Sequence, residues 1–373
     1  MSANQTLARY YTLGRTGLKV SRLALGTMTF GTEWGWGAEK ETARQLVNAY
    51  VDVGGNFFDT ADLYTNGTSE TWLGEFIAER GLRDSAVIAT KFSYNAQPGN
   101  PNAGGNGRKN ILRAVEGSLK RLRTDYIDLY ILHTWDRVTP AEEVMRTLDD
   151  LVRAGKVRHV GLSDVPAWYA SRAQAIAEFR GYEPVSALQL EYSLAERTIE
   201  HEFVPLGSEQ GMGIMVWSPL ASGLLSGKYR ASDSSGSGRL DTMRQATNPG
   251  FQKFTERNWK IVAELEAVAK EIGRSMAEVA LNWIAIRPGV ASVIVGATKL
   301  AQLQSNLSAL SFEMSPAQRA RLDAVSEPVR PFPYAFFDNE IQGMIHGGVT
   351  VGGKPDGYAS RIEISGGGAG VTA

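Results

Sequence analysis

The chain has 373 residues, 43% of them hydrophobic, and its 39 basic and 40 acidic residues leave a formal net charge of −1. That balance argues against a nucleic-acid or anionic-membrane surface. The absence of cysteine excludes disulfides, thiolate nucleophiles and cysteine–metal sites.

The opening MSANQTLARYYTLGRTG lacks a basic stretch followed by an apolar one, and no run of ~18 apolar residues occurs anywhere. A cytoplasmic, soluble protein is expected. YTLGRTGLKV, Tyr11 to Val20, reads as a small hairpin around Gly14 and Gly17, placed to cap the bottom of the fold. From there short apolar runs alternate with longer amphipathic stretches. The strand candidates are Arg22–Met28, Asn56–Thr60, Ala86–Phe92, Tyr126–His133, Val157–Ser163, Ser186–Tyr192, Gly213–Ser218 and Ala291–Gly296. Between them, segments such as ETARQLVNAYVDVG, AEEVMRTLDDLVRAGK and NWKIVAELEAVAKEIG carry apolar residues at helical spacing and glycines where helices end. Such alternation builds a parallel sheet. Eight units favour closure into a (β/α)8 barrel over an open doubly wound sheet.

Two segments fall outside the repeat. Residues 221–255 form a Ser/Gly-rich insertion after the seventh strand, and long loops in compact domains are functional or disordered. From Glu327 the chain is rich in Gly, Pro and aromatics and ends in GGGAGVTA, where fraying is expected. Residues 1–326 are therefore read as the barrel domain and 327–373 as a partly irregular C-terminal extension.

In such a barrel the strand C-termini share one rim, where barrel enzymes carry their chemistry. Read in order, those ends supply Gly26 and Thr27, Asp59 with Tyr64 just beyond, Lys91 and His133. The remaining ends supply Ser163 with Asp164, Gln189, Trp217 with Ser218, and Gly296 to Thr298. Each has a plainer reading alone: a solvated strand-edge lysine, a helix-capping aspartate, a core histidine, a loop tyrosine. Their appearance on successive strand ends is what points to a built site.

With those residues in place the sequence resembles the aldo-keto reductase family. LGTMTFG, NFFDTADLYTNGTSE, ATKF, SLKRLRTDYIDLYILHTWD, GKVRHVGLSD, LQLEYSL, WSPLASGLLSGKY and VGATKLAQLQSN carry the resemblance in order, over roughly residues 10 to 326. It implies a (β/α)8 barrel that binds a nicotinamide cofactor without a Rossmann domain, and no GxGxxG occurs here. It also places Asp59, Tyr64, Lys91 and His133 at the four catalytic positions. The chemistry suits them. A phenol is a poor acid near neutrality, with an ordinary pKa of ~10. An ammonium within ~4–6 Å stabilises the phenolate. Asp59 would hold Lys91, and His133 would donate a hydrogen bond to the carbonyl oxygen. Tyr64 is then the general acid in reduction and the base in reverse. Asp62 has no part in this scheme and reads as a loop or capping residue.

For the cofactor, the resemblance places Trp217 against the nicotinamide and Ser163, Asp164 and Gln189 around its carboxamide. The family mostly has asparagine where this chain has Asp164. SPLASGLLSGKY is not a Walker A motif, because three residues rather than four separate Gly223 from Gly227, and Tyr229 follows Lys228. The backbone of Ser218, Pro219, Leu220 and Gly223, with Lys228, can still line a pyrophosphate. Gly296, Thr298, Lys299, Gln302, Ser305 and Asn306 surround the start of the last barrel helix, where anions are favoured. Lys299 is the cation available there for a 2′-phosphate, with Arg239 as a helper, so NADPH is expected in preference to NADH. No metal ligand set is read.

Trp34, Trp36, Tyr94, Trp135 and aromatics of the 221–255 loop or the PYAFF tail are expected to wall a pocket for a small-molecule carbonyl or alcohol. The physiological substrate and the oligomeric state are not readable. The competing readings are a nucleotide-sensing scaffold like potassium-channel β subunits, and an isomerase or aldolase using Lys91 as a Schiff-base amine.

Overall fold

A computed structural model of the chain describes residues 7–231, 240, 248, 250 and 252–349. It divides into two compact units, Met1–Ser326 and Glu327–Ala373.

In the first unit, β1 (Tyr10–Thr12) and β2 (Lys19–Ser21) pair antiparallel. Eight further strands close a parallel barrel: β3 (Leu23–Gly26), β4 (Phe57–Asp59), β5 (Val87–Phe92), β6 (Ile127–Leu132), β7 (Val157–Ser163), β8 (Val185–Glu191), β9 (Gly213–Trp217) and β10 (Val290–Val295). They pair in chain order, and β10 returns to β3. All eight expected strands are present, within two residues of their expected bounds. Their nearly continuous apolar character follows from burial on both faces.

Alternation along each strand sorts the side chains into two layers. Ala24, Phe57, Val87, Ala89, Leu129, Ile131, Ala187, Met215 and Ile294 fill the barrel. Leu25, Phe58, Ile88, Tyr130, Leu162, Leu188 and Val216 face the surrounding helices. The hairpin expected beneath the barrel is there. Leu13 and Val20 join the interior cluster, and Gly14 (φ +57°) meets the strands so closely that a Cβ would lie 2.5 Å from the Ser186 carbonyl oxygen. A side chain at residue 14 has no space to occupy.

The helix Glu256–Ile272 ends on left-handed Gly273, as its sequence suggested. A further helix, Met276–Ala285, is interposed before β10 and starts with a capping box between Ser275 and Glu278. The 221–255 segment begins as a 3₁₀ turn over Ala221–Ser226. Its far end is tied down by Lys253, whose Nζ lies 2.7 Å from the Glu191 carboxylate in a nearly buried ion pair. Arg239 lies outside the described residues, as does the glycine-rich terminus from 350. The second unit contains a short 3₁₀ turn, Tyr334–Phe337, and a helix, Asn339–Ile345. Among the described residues no helix is long and apolar enough to cross a membrane.

Candidate active site

Strand alternation carries ionisable groups to the top of the barrel interior. Asp59 has the parity of Phe57, Lys91 that of Ala89, and Gln189 that of Ala187, so all three point inward above apolar residues. Lys91 is fully buried, and its ammonium donates to Asp59 Oδ2 at 2.8 Å, to the Thr60 carbonyl at 2.7 Å and to the Tyr64 hydroxyl at 3.1 Å. Three donors thus meet three acceptors, as a buried ammonium requires. Burial pulls the Lys91 pKa down, but the charge of Asp59 and contact with Tyr64 outweigh it, and the net shift is upward. Lys91 remains a cation, which removes the Schiff-base reading. The other oxygen of Asp59 accepts from Gln189 Nε2 at 2.8 Å. Gln189 lines the cleft as expected, but its amide nitrogen is committed to Asp59.

Tyr64 reaches Lys91 from an unusual turn. Thr65, Asn66 and Gly67 are all left-handed, at φ +47°, +55° and +94°. For a β-branched residue that conformation is strained. Surrounding bonds hold it: the buried Thr65 hydroxyl donates to the Phe30 carbonyl at 2.6 Å. Beyond the turn, buried Glu70 accepts from Thr90 at 2.5 Å and from Arg121 Nε at 2.6 Å. Thr27, expected at the cofactor, does not line the cleft. It bonds to the Asp59 carbonyl and to Ser69, because it lies one residue past Gly26 and on the opposite face. Asp62 is in the loop as expected but is buried, with Oδ1 unpartnered, and the turn and helix beyond it carry no side-chain cap. Desolvation, reinforced by Glu70, raises its carboxyl to about 7.

His133 follows β6 and its backbone N–H donates to the Phe92 carbonyl at 2.9 Å. Its ring stands edge-to-face with Tyr64 at 5.7 Å and with Tyr94 at 5.0 Å. Burial, with a smaller contribution from Lys91, holds its pKa well below the ordinary imidazole value. The ring is therefore neutral near pH 7, with one N–H to donate. Trp34 packs edge-to-face on Tyr64 at 6.4 Å and is itself backed by Trp36 at 5.8 Å. Trp34, Trp36 and Tyr94 line the cleft. Trp135 does not. It packs against Trp168 and Tyr169 instead, drawn aside by aromatics at the start of the helix Ala167–Arg180.

From this end a continuous cleft of about 1270 Å³ runs along the rim. A site for one drug-sized ligand occupies ~300–1,000 Å³, so there is room for two molecules side by side. Gly26, Ser163, Asp164 and Trp217 line its middle, followed by Ser218, Pro219, Leu220, Gly223 and Lys228. Left-handed Ser218, Ala221, Ser222 and Gly223 form the kind of backbone concavity that binds anions. Gly296, Thr298, Gln302, Ser305 and Asn306 line the far end. There Gln302 Oε1 accepts from the Thr298 amide at 3.0 Å, so that donor is already engaged. Lys299 is exposed and outside the cleft lining, since it is the N-cap of the helix Leu300–Leu307 and is turned away. Ser275, Ala277 and Leu281 line the cleft without having been expected. The Ser-x-x-Glu cap is legible in sequence, but no spacing reveals that it faces the rim.

A closed parallel barrel with a phenol held against a buried ammonium, beside a cleft sized for a dinucleotide, defines a barrel oxidoreductase. The model of the aldo/keto reductase family matches residues 22–327, and the chain belongs to that family. It is 35% identical to an aryl-alcohol dehydrogenase [NADP(+)] of Phanerodontia chrysosporium, over 88% of this chain and 89% of that one. It is 34% identical to norsolorinic acid reductase stcV of Emericella nidulans, over 86% and 82%. A probable voltage-gated potassium channel subunit beta of Oryza sativa subsp. japonica is 36% identical, over 87% and 99%. The chain is thus an oxidoreductase of carbonyl and alcohol groups, from a family that uses nicotinamide cofactors.

Proposed function

We propose that the protein is an NADPH-dependent reductase of aromatic aldehydes and ketones that also runs in reverse as an alcohol dehydrogenase. The observation that carries this is the 3.1 Å contact between Lys91 Nζ and the Tyr64 hydroxyl. The bound nicotinamide supplies or takes the hydride. Tyr64 donates a proton to the carbonyl oxygen as the alkoxide develops, and the Lys91 ammonium stabilises the phenolate left behind. Asp59 holds that ammonium and balances its charge. Neutral His133 donates a hydrogen bond to the same oxygen and orients it.

The residues present fit the cofactor. Trp217 offers a face for the nicotinamide, the left-handed backbone around Ser222 offers donors for the pyrophosphate, and Lys228 offers positive charge. NADPH in preference to NADH is supported by the relative whose name specifies NADP(+), whereas Lys299, the cation expected at the 2′-phosphate, lies outside the cleft lining. Aromatic substrates are supported by Trp34 and Tyr94, which flank Tyr64 and His133, and by the aryl-alcohol dehydrogenase relative.

The purified protein should oxidise NADPH in the presence of 4-nitrobenzaldehyde, and Tyr64→Phe should abolish turnover while cofactor affinity is kept. Full activity in that variant would refute the mechanism. The rice channel-subunit relative supports a second reading, a nucleotide-sensing scaffold. NADPH binding without turnover across a broad carbonyl panel would favour it.

A further inference from the structure

We infer that Asp164 biases the cofactor site toward the oxidised nucleotide, its carboxylate favouring the cationic nicotinamide over the neutral reduced ring and so tilting the bound equilibrium toward NADP+ and alcohol, the products of carbonyl reduction. This rests on the proposal that the nicotinamide lies against Trp217.

The residue is held where such a charge acts. It lies directly after β7, in the left-handed region at φ +45°, a conformation that Asp and Asn tolerate better than most residues. Its Oδ1 accepts from the Trp217 indole N–H at 3.1 Å, so the carboxylate sits at the edge of the stacking face. It lines the cleft.

The charges that face it do not cancel it. Lys91, from β5, lowers its pKa, but that ammonium is committed to Asp59, Thr60 and Tyr64. Glu191, from β8, raises it and has Lys253 as its own partner. The Tyr94 hydroxyl, from the loop after β5, is close enough to feel Asp164. Open to the cleft yet crowded by protein, the carboxyl is pushed up to about 7, chiefly by desolvation, with the Trp217 bond opposing. Near neutrality the group is therefore divided between charged and neutral forms. A cationic ring beside it draws it to the charged form, and a neutral ring does not. Affinity for the oxidised nucleotide should accordingly rise as pH increases through 7, while affinity for the reduced one should stay level. An asparagine there would hold an amide without this discrimination.

The test is the pair of dissociation constants for NADP+ and NADPH, measured by protein fluorescence quenching from pH 5.5 to 8.5 in the wild type and in Asp164→Asn. Taking their ratio cancels titrations that both nucleotides share. In the wild type the preference for NADP+ should increase roughly tenfold across neutrality, about one pKa unit of differential interaction. In Asp164→Asn the ratio should be flat, with NADP+ bound roughly tenfold more weakly at pH 8 and NADPH little changed. A wild-type ratio that does not vary with pH overturns the inference, and so does a variant that weakens both nucleotides equally. If the variant fails to fold, the wild-type pH series decides alone. Binding of neither nucleotide overturns the cofactor reading and this inference together. Binding of both with an unvarying ratio overturns only the inference.

Discussion

Glu70 accepts a hydrogen bond from Thr90 at 2.5 Å, one residue before the ammonium-bearing Lys91. Its other oxygen takes Arg121 Nε at 2.6 Å. The helix beyond the Tyr64 turn is thereby pinned to the strand that carries Lys91, from outside the barrel. Glu70→Ala would leave the Thr90 hydroxyl without this acceptor and Arg121 without its carboxylate, at a cost of about 2–4 kcal/mol. The expected result is a lower urea midpoint together with a reduced kcat, because a Tyr64 hydroxyl displaced by ~1 Å loses on the order of a hundredfold in rate. Glu70→Gln should recover most of the stability. An Ala variant with wild-type kcat would show that the pin does not position the phenol.

Lys91→Met should remove nearly all turnover and also destabilise, because Asp59 would keep only Gln189 as a side-chain partner. Leaving a buried charge unpaired costs about 3–5 kcal/mol. Adding Asp59→Asn should restore much of the melting temperature and none of the activity. A double variant no more stable than Lys91→Met would contradict this account of the pair.

His133 is buried neutral, with its pKa depressed by desolvation and then by Lys91. A depressed histidine contributes stability above the unfolded value of ~6.5 and loses it as pH falls toward the folded value. Unfolding free energy should therefore fall from pH 6.5 to 5 by up to about 1.4 kcal/mol per pH unit from this residue. Denaturation of His133→Gln over that range should give a shallower slope, and parallel slopes would argue against it.

Asp62 is the opposite case. Its carboxyl in the folded protein, at about 7, lies above the ordinary aspartate value of 3.8. The stability it contributes is present when the group is protonated, and it is lost as pH rises through 7. Asp62→Asn should consequently stabilise the protein at pH 8, by on the order of 1–3 kcal/mol. The advantage should fade toward pH 4. Destabilisation at pH 8 would mean that the ionised carboxylate has a partner after all.

Trp34 meets the Tyr64 ring edge-on. Trp34→Ala should raise KM for 4-nitrobenzaldehyde several-fold, in line with losing an aromatic contact of about 0.5–1.5 kcal/mol, and change KM for a short aliphatic aldehyde much less. Equal effects on both substrates would remove Trp34 from the aromatic slot.

Much of the site was legible because strands have a period of two. Gly26, Asp59, Lys91, His133, Ser163, Gln189 and Trp217 each keep the parity of an interior residue two or four positions earlier in their strand, which can be read from letters. The same parity separates Gly26 from Thr27 and turns Thr27 away from the cleft. Beyond the strand ends no period applies. The directions of Lys299 and Trp135 depend on how one helix start or one aromatic neighbour happens to pack.

The sequence by itself determined the alternation of strand and helix, and with it the barrel, the polar ends of its strands and the family. This is because backbone geometry converts local patterns of apolar residues into faces. Tertiary structure alone decided that three left-handed residues bring the Tyr64 hydroxyl to Lys91, that Gln189 serves Asp59, and that Asp62 is shut away from water. Those outcomes depend on contacts between segments distant along the chain, whose energies no local pattern encodes.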